Sequence, residues 1–187
     1  MTKVFLGGSR YVSRLNDDVR ARVDVVMEKG LPVVIGDANG ADKALQAYLN
    51  TRGYRNVQVF CSNGRCRNNL GGWEIRAVPT ETREASVEFY SAKDLAMAQE
   101  ASVGLMVWDG KSVGTLCNVF RLLSQKKKAA VYSVPEKAFR ELKTVMDWNE
   151  FIRHCKSDVR RKLEERTGVV KGSGRAESAQ LSLMARH

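Results

Sequence analysis

Short apolar runs alternate with segments of helical periodicity along most of this chain, and this alternation restricts the fold more than any other feature. The runs have the length of strands and are apolar on both sides, which is typical of a parallel sheet covered by helices on both faces. The sequence therefore predicts an α/β fold with a doubly wound, mostly parallel five-stranded sheet. The expected strands are residues 3–7, 31–35, 57–60, 103–107 and 129–134.

Three other segments carry their own patterns. Residues 74–78 are expected to form a small extra strand, and residues 80–102 a longer helix that begins at a threonine cap. Ala138, Leu142 and Val145 recur at helical spacing, which predicts another helix there.

Length and composition favour one main domain. The chain has 187 residues, of which 43% are hydrophobic, enough for a single α/β core over residues 1–155. Residues 156–187 contain eight basic and four acidic side chains, and they predict a short basic helix followed by a flexible tail. The net charge of +10 is compatible with nucleic acid and equally with small phosphorylated ligands.

Several classes of protein are disfavoured. No run of about 18 apolar residues is present, so no membrane span is expected. The start of the chain enters a strand pattern directly, which argues against a signal peptide. The four cysteines lack metal-ligand spacing, so we expect reduced thiols in a cytoplasmic protein that holds no metal and no cofactor. They are Cys61, Cys66, Cys117 and Cys155.

Glycine-containing loops follow the first, second and fourth expected strands. In a doubly wound sheet such loops share one edge, where helix N-termini can bind a phosphate group. The alternative interpretation is that these glycines only permit tight turns between a strand and the next helix. Neither the G-x-G-x-x-G fingerprint nor the Walker pattern is present. The loops are residues 7–10, 36–42 and 109–115.

The polar residues of these loops give the predicted ligand site. Arg10, Ser112 and Thr115 are expected to hold phosphate, whereas Asp37, Asn39 and Asp109 are expected to orient a sugar. Asp42 either orients the second loop or is an ordinary acid in a first helical turn. The full predicted set is Gly8, Ser9, Arg10, Gly36, Asp37, Asn39, Gly40, Asp42, Asp109, Lys111, Ser112, Gly114, Thr115 and Asn118.

Residues 61–82 form a long polar loop, which predicts a lid or an anchored connection. Arg67 and Trp73 are candidates to close over a bound base, although a loop tryptophan anchors its loop to the core equally often. Lys93 and Asp94 fall in the middle of an expected helix, where solvated charges are the default.

The three motifs resemble the SLOG superfamily of Rossmann-like nucleotide-binding proteins over about residues 3–145. The carriers of this resemblance are Gly7-Gly-Ser-Arg10, Gly36-Asp-Ala-Asn-Gly-Ala-Asp42 and Asp109 with Gly114-Thr115. The resemblance implies a Rossmann-like fold, and it implies a homodimer formed through helical faces.

The superfamily is similar to lonely-guy phosphoribohydrolases and nucleoside deoxyribosyltransferases, which cleave N-glycosidic bonds. Their catalytic glutamate lies in a Gly-Thr-x-x-Glu segment, and the corresponding residue here is Asn118. An amide cannot replace a carboxylate at an anomeric carbon. The substitute carboxylates available are Asp109, Glu84, Glu88 and Asp94.

Three functions follow from these patterns. The favoured one is binding of a nucleotide, or of an NAD- or ADP-ribose-derived ligand, for sensing or sequestration. The alternative is an N-glycosidic hydrolase or transferase that acts on a nucleoside or nucleotide. The least favoured is nucleic-acid binding through the basic surface, because the basic residues are scattered and no known nucleic-acid module is present.

Overall fold

The computed structural model describes residues 2–80 and 87–168, with the backbone alone for residues 87–90. The first half of the chain contains β1 (Val4–Gly8), α1 (Asp17–Glu28), β2 (Val33–Gly36), α2 (Ala41–Thr51), β3 (Val57–Ser62) and β4 (Glu74–Val78). The second half contains α3 (Val87–Glu100), β5 (Val103–Trp108), α4 (Val113–Ser124), β6 (Lys128–Ser133), β7 (Ala138–Leu142), α5 (Val145–Arg153) and α6 (Ser157–Thr167).

The strands form one sheet in the order β4-β3-β2-β1-β5-β6-β7. All neighbours pair in parallel except β6 and β7, which are antiparallel. The chain winds outward from β1 in both directions, so the strand order reverses between β1 and β5. Buried side chains form one cluster with α1 and α2 and another with α3 to α6. The predicted doubly wound α/β class is confirmed.

The described sheet has seven strands, whereas the sequence patterns predicted five. The small extra strand is β4, at the edge beside β3. The helix expected over residues 138–145 is wrong in its first part, because Ala138–Leu142 pairs with β6 as β7. Phe139 packs edge-on against Tyr132 at a centroid distance of 5.1 Å. A spacing of four residues fits a strand as well as a helix once β6 supplies a partner.

The expectation of four free thiols is wrong for one pair. Cys61 and Cys66 are joined by a disulfide, with their Cα atoms 5.1 Å apart. The chain turns back at Asn63 and Gly64, which both have positive φ, and this turn brings the two sulfur atoms together. Cys117 and Cys155 are free and buried.

The C-terminal helix α6 packs against α4 in the same core as the sheet. Its apolar residues Val159 and Leu163 are 2% and 4% exposed. Within residues 2–80 and 87–168, no helix is both long and apolar enough to cross a membrane.

Candidate functional site

The loops after β1 and β2 meet at the carboxyl edge of the sheet. The Ala41 N–H at the start of α2 donates to the Ser9 carbonyl oxygen at 2.9 Å. Gly40 has φ 82°, and a Cβ there would lie 2.3 Å from the backbone of Arg10. These contacts bring together two of the three predicted glycine loops.

The β1 loop also contacts β5, across the point where the strand order reverses. Ser9 donates its N–H to the Val107 carbonyl oxygen at 2.9 Å, and Gly8 pairs with Val107 in the sheet. Ser9 is fully buried, and its hydroxyl accepts the Tyr11 N–H at 3.2 Å. Ser9 therefore shapes the loop, whereas the neighbouring Arg10 is exposed.

The loop after β5 is held by its own side chains. One Asp109 oxygen accepts the N–H groups of Lys111 and Ser112 at 3.0 and 2.7 Å. The Ser112 hydroxyl caps α4 by accepting from the Thr115 N–H and from the Thr115 hydroxyl. Thr115 is 2% exposed, but a Cβ at Gly114 would meet no heavy atom within 4 Å. The first turn of α4 therefore has open space at Gly114.

Asp37 lies at the end of β2 and is held by Arg67. The guanidinium donates to both carboxylate oxygens at 2.8 and 3.1 Å, and the Arg67 N–H donates to one of them at 3.0 Å. Burial opposes ionisation of Asp37, but the Arg67 hydrogen bonds and the Lys93 charge outweigh it, so its pKa lies below the usual value. Arg67 therefore connects the long loop to the carboxyl end of β2 through Asp37.

Lys93 of α3 lies buried among carboxylates, which contradicts the expectation of a solvated charge. Its side chain is 3% exposed, and Nζ lies 2.9 Å from Asp94 and 3.7 Å from Asp37. Burial disfavours the ammonium, but the surrounding carboxylates outweigh burial and raise the pKa of Lys93. A Cβ at Gly36 would lie 2.9 Å from this Nζ, so the absence of a side chain at Gly36 leaves room for the ammonium.

Asp42, at the start of α2, completes this cluster. It is 7% exposed, and one carboxylate oxygen accepts the Ala38 N–H at 3.2 Å. Burial raises the pKa of Asp42 to about 6, although the positive charge of Lys93 acts in the opposite direction. Asp42 lies in the first turn of α2, and its carboxylate also accepts a backbone N–H of the second loop. We call Asp37, Asp42, Lys93 and Asp94 the charge cluster.

Asn118 and Arg121 extend the charge cluster along α4. The Asn118 amide donates to Asp94 at 3.4 Å and accepts from Arg121 at 2.7 Å. The Asp94 side chain is 22% exposed, more than those of Asp37 and Lys93. The carboxylate candidate Glu84 lies outside the described residues, as does the side chain of Glu88.

Trp73 anchors the long loop rather than covering the site in this structure. Its ring is 6% exposed, and the indole N–H donates to the Tyr54 carbonyl oxygen at 2.9 Å. Two polar residues that the sequence patterns did not single out position the same loop. Gln46 accepts the Leu70 N–H at 3.0 Å and donates to the Gly36 carbonyl oxygen at 2.8 Å, and Asn68 donates to the Asp37 carbonyl oxygen at 2.8 Å.

One signal for the buried lysine was present in the sequence. Phe89, Ala96 and Met97 lie three and four residues from Lys93, which places the lysine on an apolar helix face. Gln46 and Asn68 carry no comparable signal, because their partners are backbone groups of distant loops.

Two grooves flank β7, and neither is lined by a predicted ligand-binding residue. One of about 480 Å³ lies between α1 and β7, and one of about 750 Å³ lies between β7 and α5. Within the described ranges, no group of three or more histidine, cysteine or acidic side chains is arranged to hold a metal ion. In the charge cluster a lysine ammonium lies between the carboxylates.

The fold and this edge define a doubly wound α/β protein with glycine loops at its switch point. Comparison of the chain with protein-family models, with curated proteins and with solved structures found no match.

Proposed function

We propose that this protein binds a phosphorylated small molecule of the nucleotide class, for sensing or sequestration, at the carboxyl edge of β1, β2 and β5. The observation that carries the proposal is the contact of the β1 loop with both α2 and β5, beside the N-terminus of α4. Open α/β sheets bind ligands where the strand order reverses, and helix N-termini there favour phosphate. NAD- and ADP-ribose-derived molecules fit this chemistry.

Two exposed cations lie on loops that flank the switch point. Arg10 follows β1 and Lys111 follows β5, and both side chains are exposed. The buried acids below them are already paired, so a ligand phosphate would meet positive charge and backbone N–H groups first. At the start of α4, Gly114 leaves the first helical turn uncovered.

The test is calorimetric titration of the protein with ADP-ribose, AMP and NAD, together with mass spectrometry of any co-purified molecule. Gly114→Leu should abolish binding without unfolding the protein, because the new side chain enters open space above the α4 N-terminus. Lys111→Ala should weaken binding about tenfold, the usual scale of one charge-assisted hydrogen bond.

Lys29→Ala is the matched control, because it removes one exposed positive charge at the C-terminal end of α1, at the opposite edge of the sheet. Its affinity should equal that of the wild type. A folded Gly114→Leu variant that binds as the wild type does would refute the site. Absence of both titration heat and a co-purified nucleotide would refute the ligand class.

The enzyme alternative is favoured by one observation, the carboxylate beside Asn118. Asp94 is held 3.4 Å from the Asn118 amide and 2.9 Å from the Lys93 ammonium. It is therefore an acid in contact with the position at which the resemblance implies a catalytic glutamate. Asp94 would either attack the anomeric carbon of a nucleoside or nucleotide or activate a water molecule that attacks it. The N-glycosidic bond then breaks and the base leaves.

Incubation with nucleoside monophosphates and NAD, followed by chromatography, distinguishes the two functions. Release of free base that is lost in Asp94→Asn and kept in Asp158→Asn would support the enzyme. Asp158 is the control acid because it is exposed on α6 and belongs to no proposed site. Intact nucleotide in the presence of measurable binding would support the binding protein.

A further inference from the structure

We propose that the free edge of β4 is an interface at which a second copy of this chain adds its own β4, antiparallel and centred on Ile75. β4 ends the sheet, and within the described residues β3 is its only strand neighbour. Glu74, Ile75, Arg76 and Ala77 are all exposed, and Ile75 is 47% exposed. An exposed edge with an apolar side chain and no proline is a template for strand addition.

The opposite edge of the sheet carries closer ion pairs than β4, where the pair between Arg76 and Glu100 is 3.9 Å long. On β7, Glu141 is paired with Arg22 of α1 at 2.9 Å, and Arg140 is paired with Glu136 at 2.9 Å. A symmetric antiparallel pair centred on Arg140 or on Glu141 would also place like charges directly opposite each other. At the β7 edge these two registers of self-pairing are therefore disfavoured.

Symmetry restricts how two β4 strands can pair. A two-fold axis perpendicular to the sheet keeps each side chain on its own face. The axis must therefore lie midway between the two copies of one residue, which face each other directly. Centring on Glu74 or on Arg76 opposes like charges. Centring on Ile75 places isoleucine against isoleucine and puts Glu74 opposite Arg76 of the partner subunit, twice. Opposed charges and apolar pairs are the favourable cross-strand contacts.

The charges behind β4 agree with this register. Arg76 Nε lies 3.9 Å from Glu100 on α3, and Glu100 lies 2.8 Å from Lys3. Glu74 of the partner subunit would add a carboxylate on the other side of Arg76, which continues the alternation of sign. This local pairing offsets the repulsion between two chains that each carry a net charge of +10.

The register predicts which cysteine variants can be cross-linked. Ile75→Cys places two thiols directly opposite, at a Cβ separation of about 5 Å, which mild oxidation can bridge. In Glu74→Cys and Arg76→Cys the two equivalent positions are about 8 Å apart, beyond the reach of a disulfide. The native cysteines do not compete, because Cys117 and Cys155 are buried and the other two are paired.

The measurement is mass spectrometry of linked peptides after mild oxidation. Ile75→Cys should give covalent dimer at least about tenfold faster than Glu74→Cys and Arg76→Cys. Met146→Cys, on the 80% exposed Met146 of α5, measures random collision. Equal cross-linking of Ile75→Cys and Met146→Cys would overturn the interface, and faster cross-linking of Glu74→Cys or Arg76→Cys would overturn the register.

Charge reversal gives an independent test by sedimentation equilibrium. A single strand pair is a small interface, so the dissociation constant should lie in the micromolar range. Glu74→Arg or Arg76→Glu alone should raise it about tenfold, because each opposes like charges twice. A mixture of the two variants should restore association, since every opposed pair is then complementary. Association of each single variant as strong as that of the wild type would refute the proposal, and ligand binding at the carboxyl edge does not depend on the outcome.

Discussion

At the scale of single residues, the main feature is a lysine buried with three acids. An ammonium removed from water costs several kcal/mol, and only close carboxylates offset that cost. Asp94 lies 2.9 Å from Lys93, whereas Asp37 is already paired with Arg67. Asp42 receives less compensation, and burial raises its pKa to about 6. The charge cluster therefore contains one acid that titrates near neutral pH.

We expect the free energy of unfolding of this protein to depend on pH through the titration of Asp42. Its pKa rises from 3.8 in the unfolded chain to about 6 in the folded one. The carboxyl of Asp42 therefore stays protonated up to a higher pH in the folded state than in the unfolded state. As a result, stability falls as the pH rises from 4 to 6. The full cost above pH 6 is about 3 kcal/mol. Between pH 4 and pH 7, the free energy of unfolding of Asp42→Asn should rise relative to that of the wild type by most of that amount, about 2 kcal/mol.

Urea unfolding at both pH values measures this difference, and any constant packing effect of the substitution cancels. Asp17→Asn removes a carboxylate that is 98% exposed, so it is the matched control for loss of a negative charge. A difference between wild type and Asp42→Asn that stays the same from pH 4 to pH 7 would contradict the prediction.

At the scale of elements, the contact between the β1 and β2 loops depends on Gly40. Gly30 and Gly40 both have positive φ, but a Cβ at Gly30 meets nothing within 4 Å. Gly30→Ala should therefore lower the free energy of unfolding only by the cost of a positive φ in an alanine, about 1–2 kcal/mol. Gly40→Ala adds a clash with the backbone of Arg10, so the loops must separate, and we expect a loss of about 3 kcal/mol or more.

Thermal and urea unfolding of the two glycine variants give the comparison, in which Gly30→Ala serves as the reference. Equal destabilisation of both would mean that the β1 and β2 loops are not in contact. The proposed ligand site would then lose its basis, because it requires these loops to meet.

The turn that follows β3 gives a third prediction, which concerns its disulfide. Alkylation of the denatured protein without reductant should label Cys117 and Cys155 alone, and all four cysteines after reduction. Intact-mass spectrometry counts the labels. Four labels without reductant would restore the sequence-based expectation of free thiols.

Elements that depend on a local sequence pattern were predicted correctly. The predictions failed for residues whose structure depends on partners far away in the chain. Apolar runs fixed the positions of the parallel strands, and glycines fixed the loops at their carboxyl ends. The spacing of Ala138 and Leu142 fitted a helix, because nothing local shows that β6 supplies a strand partner. Lys93 was expected to be solvated, because its carboxylate partner Asp37 lies more than fifty residues earlier in the chain. Pairing across the fold carries no local signature.

At the scale of the whole molecule, α6 packs against α4 in the same hydrophobic cluster as the sheet. The charged face of α6 points to solvent, while Val159 and Leu163 enter the cluster formed with α4. The N-terminus of α4 adjoins the proposed ligand site. Loss of the packing between α6 and α4 should therefore also perturb the carboxyl edge of the sheet.

We expect Leu163→Ala to lower the free energy of unfolding of the whole protein by about 2–4 kcal/mol, since it removes a side chain that is 4% exposed. The neighbouring Lys162 is exposed, so Lys162→Ala should change stability by less than about 0.5 kcal/mol. Urea unfolding followed by circular dichroism and by tryptophan fluorescence gives two probes. If α6 belongs to one core, both probes shift together as one transition. A separate early transition in circular dichroism, with unchanged fluorescence, would show instead that α6 unfolds on its own.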